Sequence, residues 1–374
     1  MVPNGAIRPH AILITNPGTG RLVANRLSSN LDLLRAVAVI LVLTQHLLNR
    51  FFFSRMGLTG PPVGTFGVLI FFVHTCLVLM YSMDRSGLQG LPLALNFYTR
   101  RFFRIYPLSV VAVLSALTLH LDSDINGVPG LSRVSTIPWG RVASNLLLVQ
   151  NMVKPGSIIN VLWSLPYEVQ MYVFLPPIFL WITRSKVSTR MLLVTWSASL
   201  FLAIGHMHLP WKGLVATLLQ RLSIVRYVPN FLPGVIAFTF RHVPRFKSWL
   251  WLPFILVLIT IYAWFPGIKM GWVLCLILGC AIPSFAEITT PWVRWVSNRI
   301  ATYSYGIYLT HQFSIWFVSD PLHSADVWMR AVILIALLVG LPVLLYHTIE
   351  KPMMTVGVHV ANAWYRKLSP DANN

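Results

Sequence analysis

The sequence predicts an all-α fold: a polytopic integral membrane helix bundle of about ten transmembrane helices, with the N and C termini cytoplasmic. Three observations carry that expectation. Of 374 residues, 56% are hydrophobic and only 10% charged, far below the roughly one quarter charged in soluble domains. The apolar residues gather into stretches of about 20, the length that crosses a hydrocarbon core at about 1.5 Å per residue. The 29 Lys plus Arg against 10 Asp plus Glu give a formal charge of +19, and these charges fall in short clusters between the apolar stretches. That distribution excludes an ordinary soluble enzyme and argues against a nucleic-acid-binding surface, which would gather its charge on one polar domain.

Taken in order, the spans read Leu33 to Phe53, Val63 to Met83, Tyr106 to Leu121, Leu165 to Thr183, Met191 to Leu209 and Leu222 to Phe240. Four more follow, from Trp249 to Phe265, Met270 to Ala286, Ala301 to Ser319 and Trp328 to His347. The third is short, and Pro229 with Pro233 interrupts the sixth. With both ends inside, 19 of the 29 basic residues fall on cytoplasmic segments, as the positive-inside rule requires. Residues 1–30 hold three prolines and three arginines but no apolar core with a cleavage site, so they read as a basic cytoplasmic tail and not a signal peptide. Residues 31–352 form the membrane domain and 353–374 a cytoplasmic C-terminal tail, with Pro352 ending the last helix. The long external connection, Asp122 to Trp163, contains an apolar stretch at Asn145 to Gln150 that is too short to span, and it lies in the interface or caps the bundle. Cys76, Cys275 and Cys280 sit in apolar runs without metal-ligand spacing, so packing and no metal site is expected of them.

Polar residues inside spans are costly and point to function by default. Arg35 and His46 lie eleven residues apart in the first span, which is about 1100° of helical rotation, so they share one face about 16 Å apart. The structural alternative is a snorkelling Arg and a His bonded to a nearby carbonyl. In FYTRRFFRIYPL, Arg100 and Arg104 are i,i+4 neighbours and Arg101 lies three before Arg104. That cluster suits a phosphate clamp or simple anchoring to anionic lipid. In WSLPYEVQMY, Ser164 and Pro166 mark a helix start that puts Glu168, one of only 10 acids, in the first turn. In TYSYGIYLTHQF, Ser304, Tyr308 and His311 form one stripe, either lining a cavity or bonding helix to helix. His347, Glu350, Lys351 and Pro352 read as structural, with Glu350 pairing a cytoplasmic Arg.

These four segments, in this order, resemble the acyltransferase-3 family of integral membrane acyltransferases. The likeness runs from LDLLRAVAVILVLTQH at Leu31 to IEKP at Ile349. Arg35 and His46 match its Arg, ten residues, His signature, and the arginine-rich, WSL-x-x-E and ninth-helix motifs follow in register. FFVHTCLVL departs from the family's usual second-helix pattern at His74, Thr75 and Cys76, and is expected to reshape the cavity. The resemblance implies transfer of an acyl group, usually acetyl, from cytoplasmic acyl-CoA to a hydroxyl of a carbohydrate or glycolipid acceptor across the bacterial inner membrane. On this reading Arg35, Arg100, Arg101 and Arg104 hold the CoA phosphates, and His46 is the general base. Glu168, with Tyr172, orients His46 or binds the acceptor, while Trp163, Ser164, Tyr308 and His311 line the substrate site. Ser164 and Tyr308 are the candidate oxyanion donors. The alternative is a transporter or flippase that uses His46, Glu168 and His311 as a proton relay.

Overall fold

The computed structural model describes residues 28–119, 121–123, 129–131, 137–153, 156–185, 187–209, 221–240 and 245–368. The basic tail expected over residues 1–30 lies almost wholly outside the described residues. The chain is all-α, a ribbon of two three-residue strands, Leu121–Ser123 and Pro129–Leu131, apart. Helices α1 (Ser29–Phe51), α2 (Val63–Ser86) and α3 (Gly90–Thr118) come first. After the ribbon follow the short helices α4 (Trp139–Leu146) and α5 (Gln150–Val153), then α6 (Leu165–Ser185), α7 (Thr189–His208) and α8 (Val228–Thr239). The last are α9 (Trp251–Trp264), α10 (Ile268–Ala281), α11 (Pro291–Ser319), α12 (Val327–Leu345) and α13 (Lys351–Leu368). Among the described residues, five helical stretches are long and apolar enough to cross a membrane, and three shorter ones are apolar.

Helix α1 begins where Ser28 caps it, its hydroxyl accepting from the Leu31 N–H, and Asp32 in the first turn complements the helix dipole. It packs between α2 and α11. Gly67 permits the first contact, since a Cβ there would stand 2.5 Å from the Ala38 carbonyl. Gly234 does the same for α2 against α8, where a Cβ would stand 2.1 Å from the Val73 carbonyl, the close backbone approach that small residues allow in membrane bundles. Helices α1 and α11 run parallel in nearly constant register. Asp32 accepts from Asn298 at 3.0 Å, Arg35 donates to Ser304 at 2.6 Å, and Arg50 pairs with Asp320 at 3.1 Å. The first and ninth predicted spans are both outbound, and parallel packing agrees with that.

Four sequence expectations need correction. The third helix is 29 residues long and starts at Gly90, so the arginine-rich run lies within it and not at its entry; Pro107 is carried inside. The sixth span shortens to the 12 residues of α8, because Pro229 favours a helix start; Pro233 continues that helix. Pro352 does not end the last helix. A π turn over Tyr346–Glu350, in which Lys351 N–H reaches back to the Tyr346 carbonyl, precedes it, and the wider turn makes room for a proline that cannot donate. The chain then continues as α13, so the C-terminal tail expected over residues 353–374 is helical as far as Leu368. It packs along α3, with Gly357 set against Phe103.

The segment before α6 enters the bundle more deeply than a surface cap. Asn145 folds it, donating to the carbonyls of Arg141 and Gly156 at 2.9 and 3.0 Å and accepting from Ile158 N–H at 2.9 Å. Ile158, Ile159, Val161 and Leu162 are all buried. This re-entry sets the depth at which Ser164 and Glu168 stand.

Candidate active site

The polar side chains that the sequence singles out gather at two places on α1. The first centres on Arg35. Its Nε donates to Ser304 on α11, and its head lies between two adjoining cavities of about 450 Å³ each, counting their open mouths. Arg35, Thr75, Glu168 and Tyr305 form their common wall. One cavity is polar, with Arg101, Arg104, Tyr172 and His74 on its walls. The other sets Ser164, Ser304 and Tyr308 opposite Phe71, Phe72 and Val68. Glu168, in the first turn of α6, accepts from the Tyr172 hydroxyl one turn on and from Thr75 Oγ1 at 3.4 Å. Buried polar groups must find such partners, and the hydroxyls leave the carboxylate able to face the arginines.

Arg104 is anchored differently. Its Nη1 pairs with Glu350 at 2.8 Å across 246 residues, and its guanidinium lies 5.7 Å from the Tyr305 ring centre. The Glu350 carboxyl is fully buried. The expected pairing of Glu350 with an Arg is therefore present, and it ties the π turn to the cavity. Tyr305 is held by its hydroxyl, which donates to the Ile105 carbonyl at 2.7 Å.

The second place is the C-terminal half of α1. His46 is half-buried, and its ring stands 5.1 Å from that of His311, centre to centre. His311 is 1% exposed, with Nδ1 against the Ile307 carbonyl at 2.9 Å. Between the two places lies Tyr308, whose hydroxyl donates to the Val161 carbonyl at 2.6 Å and meets Ser164 Oγ at 2.7 Å. The Ser304, Tyr308, His311 stripe thus faces inward and links both places.

The structure divides the predicted set. It brings Arg35, Arg101, Arg104, Glu168 and Tyr172 together, with Ser164 and Tyr308 in the adjoining cavity. Of the four arginines, Arg35, Arg101 and Arg104 line the polar cavity and Arg100 lines neither. On the helix Arg104 stands between the other two, about 40° from Arg100 and about 60° from Arg101, and the cavity opens on the Arg101 side of it. Glu168 shares the walls of both cavities with Arg35. Trp163 also stays out of the cavities, in an aromatic cluster with Tyr167 and Tyr227 at ring distances of 6.1 and 5.8 Å. The cavity walls also include Thr75, one of the departures in α2, and Tyr305, which the sequence did not single out as a site residue. Their signal was a hydroxyl in an otherwise apolar helix. His74, the departure from the family pattern, lies on the polar cavity's wall.

Comparison with known proteins identifies the family. An acyltransferase domain family model matches residues 28–347. YrhL of Bacillus subtilis (strain 168), provisionally named a peptidoglycan O-acetyltransferase, is 24% identical over 373 residues, covering 89% of this chain and 56% of its own length. The acyltransferase MdmB of Streptomyces mycarofaciens is 30% identical over 153 residues, 38% of this chain and 37% of its own. The chain thus spans about half the length, or less, of these curated relatives. No solved structure matches. With the family match covering most of the chain, this is a membrane protein that belongs to the acyltransferase-3 family.

Proposed function

We propose that this chain is an O-acetyltransferase that moves an acetyl group from cytoplasmic acyl-CoA to a hydroxyl of a carbohydrate or glycolipid on the other side of the bacterial inner membrane. One observation carries the reading. A single helix, α1, presents Arg35 to an arginine-rimmed cavity and, about 16 Å further along, His46 to the buried His311. A donor with a phosphate-rich head and a long arm needs that separation, because head and acceptor are on opposite faces of the bilayer. The relative named for peptidoglycan modification supports a carbohydrate as the acceptor class.

Both termini are then cytoplasmic, as the Lys/Arg asymmetry favours. Arg101 and Arg104, with Arg35, hold the phosphates by charge-assisted hydrogen bonds. Glu168 keeps this cationic wall in order and is itself held by Tyr172 and Thr75. The arm passes the Thr75, Glu168 and Tyr305 wall, with the hydroxyls of Ser164, Ser304 and Tyr308 beside it. At its end His46 takes the proton from the acceptor hydroxyl as that oxygen attacks the thioester carbonyl. The new C–O bond forms, the C–S bond breaks, and the imidazolium returns the proton to the departing CoA sulfur. Tyr308 and Ser164 can serve the developing oxyanion only by exchanging the bonds they make to the Val161 carbonyl and to each other.

Purified protein in detergent, given radiolabelled acetyl-CoA and a glycan acceptor, should release CoA and label the glycan. Proton-coupled movement of the glycan in vesicles without CoA release would overturn the reading in favour of transport.

A further inference from the structure

His311 has a feature that a packing residue does not need. Its Nδ1 faces the Ile307 carbonyl at 2.9 Å. A carbonyl can only accept, so Nδ1 carries the proton and Nε2 the lone pair. That Nε2 is buried and has no hydrogen-bond partner among the described residues, a costly condition for an acceptor. Two rings lie near enough to supply a proton. Tyr308, at 6.4 Å between centres, is committed, since its hydroxyl is already shared between Val161 and Ser164. His46, at 5.1 Å with the planes tilted 45°, is not. The register of α1 on α11 holds the pair together, pinned on one side by Arg35 to Ser304 and on the other by Arg50 to Asp320.

We propose that His311 is a positioning residue for His46. A rotation of the His46 side chain closes the bond that the structure leaves open, His46 donating one ring N–H to His311 Nε2 and turning its other nitrogen, bearing a lone pair, toward the acceptor hydroxyl. The chain of bonds from the Ile307 carbonyl through both imidazoles fixes the tautomer of the base, as an outer partner does for a catalytic histidine elsewhere. The inference rests on the function proposed above.

The test uses the geometry of amide substitutes. Gln places its amide where Nε2 stands, while Asn reaches only as far as Nδ1. Acetyl-CoA-dependent turnover, the KM for acetyl-CoA and CoA binding by calorimetry are measured on detergent-purified wild type, His46→Ala, His311→Gln, His311→Asn and His311→Leu. Asn and Leu should each lower kcat by about 100-fold or more, with KM within about twofold and CoA binding retained. Gln, able to accept from His46, should stay within about tenfold of wild type. CoA binding shows that a variant is folded; if Leu fails there, the Gln against Asn contrast decides. Equal turnover of the Gln and Asn variants, or wild-type turnover in a folded Leu variant, overturns the positioning role while leaving the function standing. A wild type that consumes no acetyl-CoA overturns the function and this inference with it.

Discussion

The two polar places on α1 differ in how their charges are satisfied. Around Arg35 nearly every group has a fixed partner: Arg35 with Ser304, Glu168 with Tyr172 and Thr75, Arg104 with Glu350, and Tyr305 with Ile105. Around His46 there is an imidazole pair, one backbone carbonyl and a free nitrogen. Cross-braced charges hold a ligand in place but give up protons reluctantly, since each proton would cost a bond on both sides. A sparsely bonded imidazole is suited to the reverse. The first place is fitted to grip and the second to transfer, and variants can separate the two.

The largest effect is expected at the second place. His46→Ala should lower turnover about a thousandfold, within the usual range for losing a general base, while leaving CoA affinity intact. Turnover and binding measured on one preparation would check it, and a matching loss of binding would erase the distinction between the places. Next comes the brace of the first. Arg104→Met leaves a fully buried carboxylate unpaired and should destabilise the protein by about 3–5 kcal/mol. Adding Glu350→Leu should recover most of that, which thermal melts of single and double variants would show. Arg101→Ala, which removes a cavity-facing cation that has no ion pair among the described residues, should raise KM for acyl-CoA about 10- to 100-fold with kcat nearly unchanged. Arg100→Ala should change KM less than about threefold, because that side chain is not on the cavity wall. Equal effects from Arg100 and Arg101 would show that the cluster acts through total charge and not through position.

Much of this could be read along the chain. The Arg35 and His46 spacing placed both on one face, the WSLPYE run put Glu168 in a first turn, and Glu350 was expected to meet an arginine. Each depends on helical rotation or on the cost of burying charge, which are local rules. Other features were hidden because they depend on depth. Which end of α1 receives Glu168 is set by a re-entrant segment pinned by Asn145, and apolar length alone cannot distinguish a cap from a plug. The continuation through Pro352 was hidden too, since a proline stops a helix unless the preceding turn widens to accommodate it.

The sequence by itself determined a membrane helix bundle and which residues are too polar for lipid, because composition and 3.6-residue periodicity are properties of the chain before it packs. Tertiary structure alone decided the neighbours: Glu168 on one cavity wall with Arg35, Arg104 with Glu350 246 residues away, His46 with His311, and Arg100 with no place in the cavity. Those pairings follow from helix register and depth, which are fixed where backbones approach closely at residues such as Gly67 and Gly234.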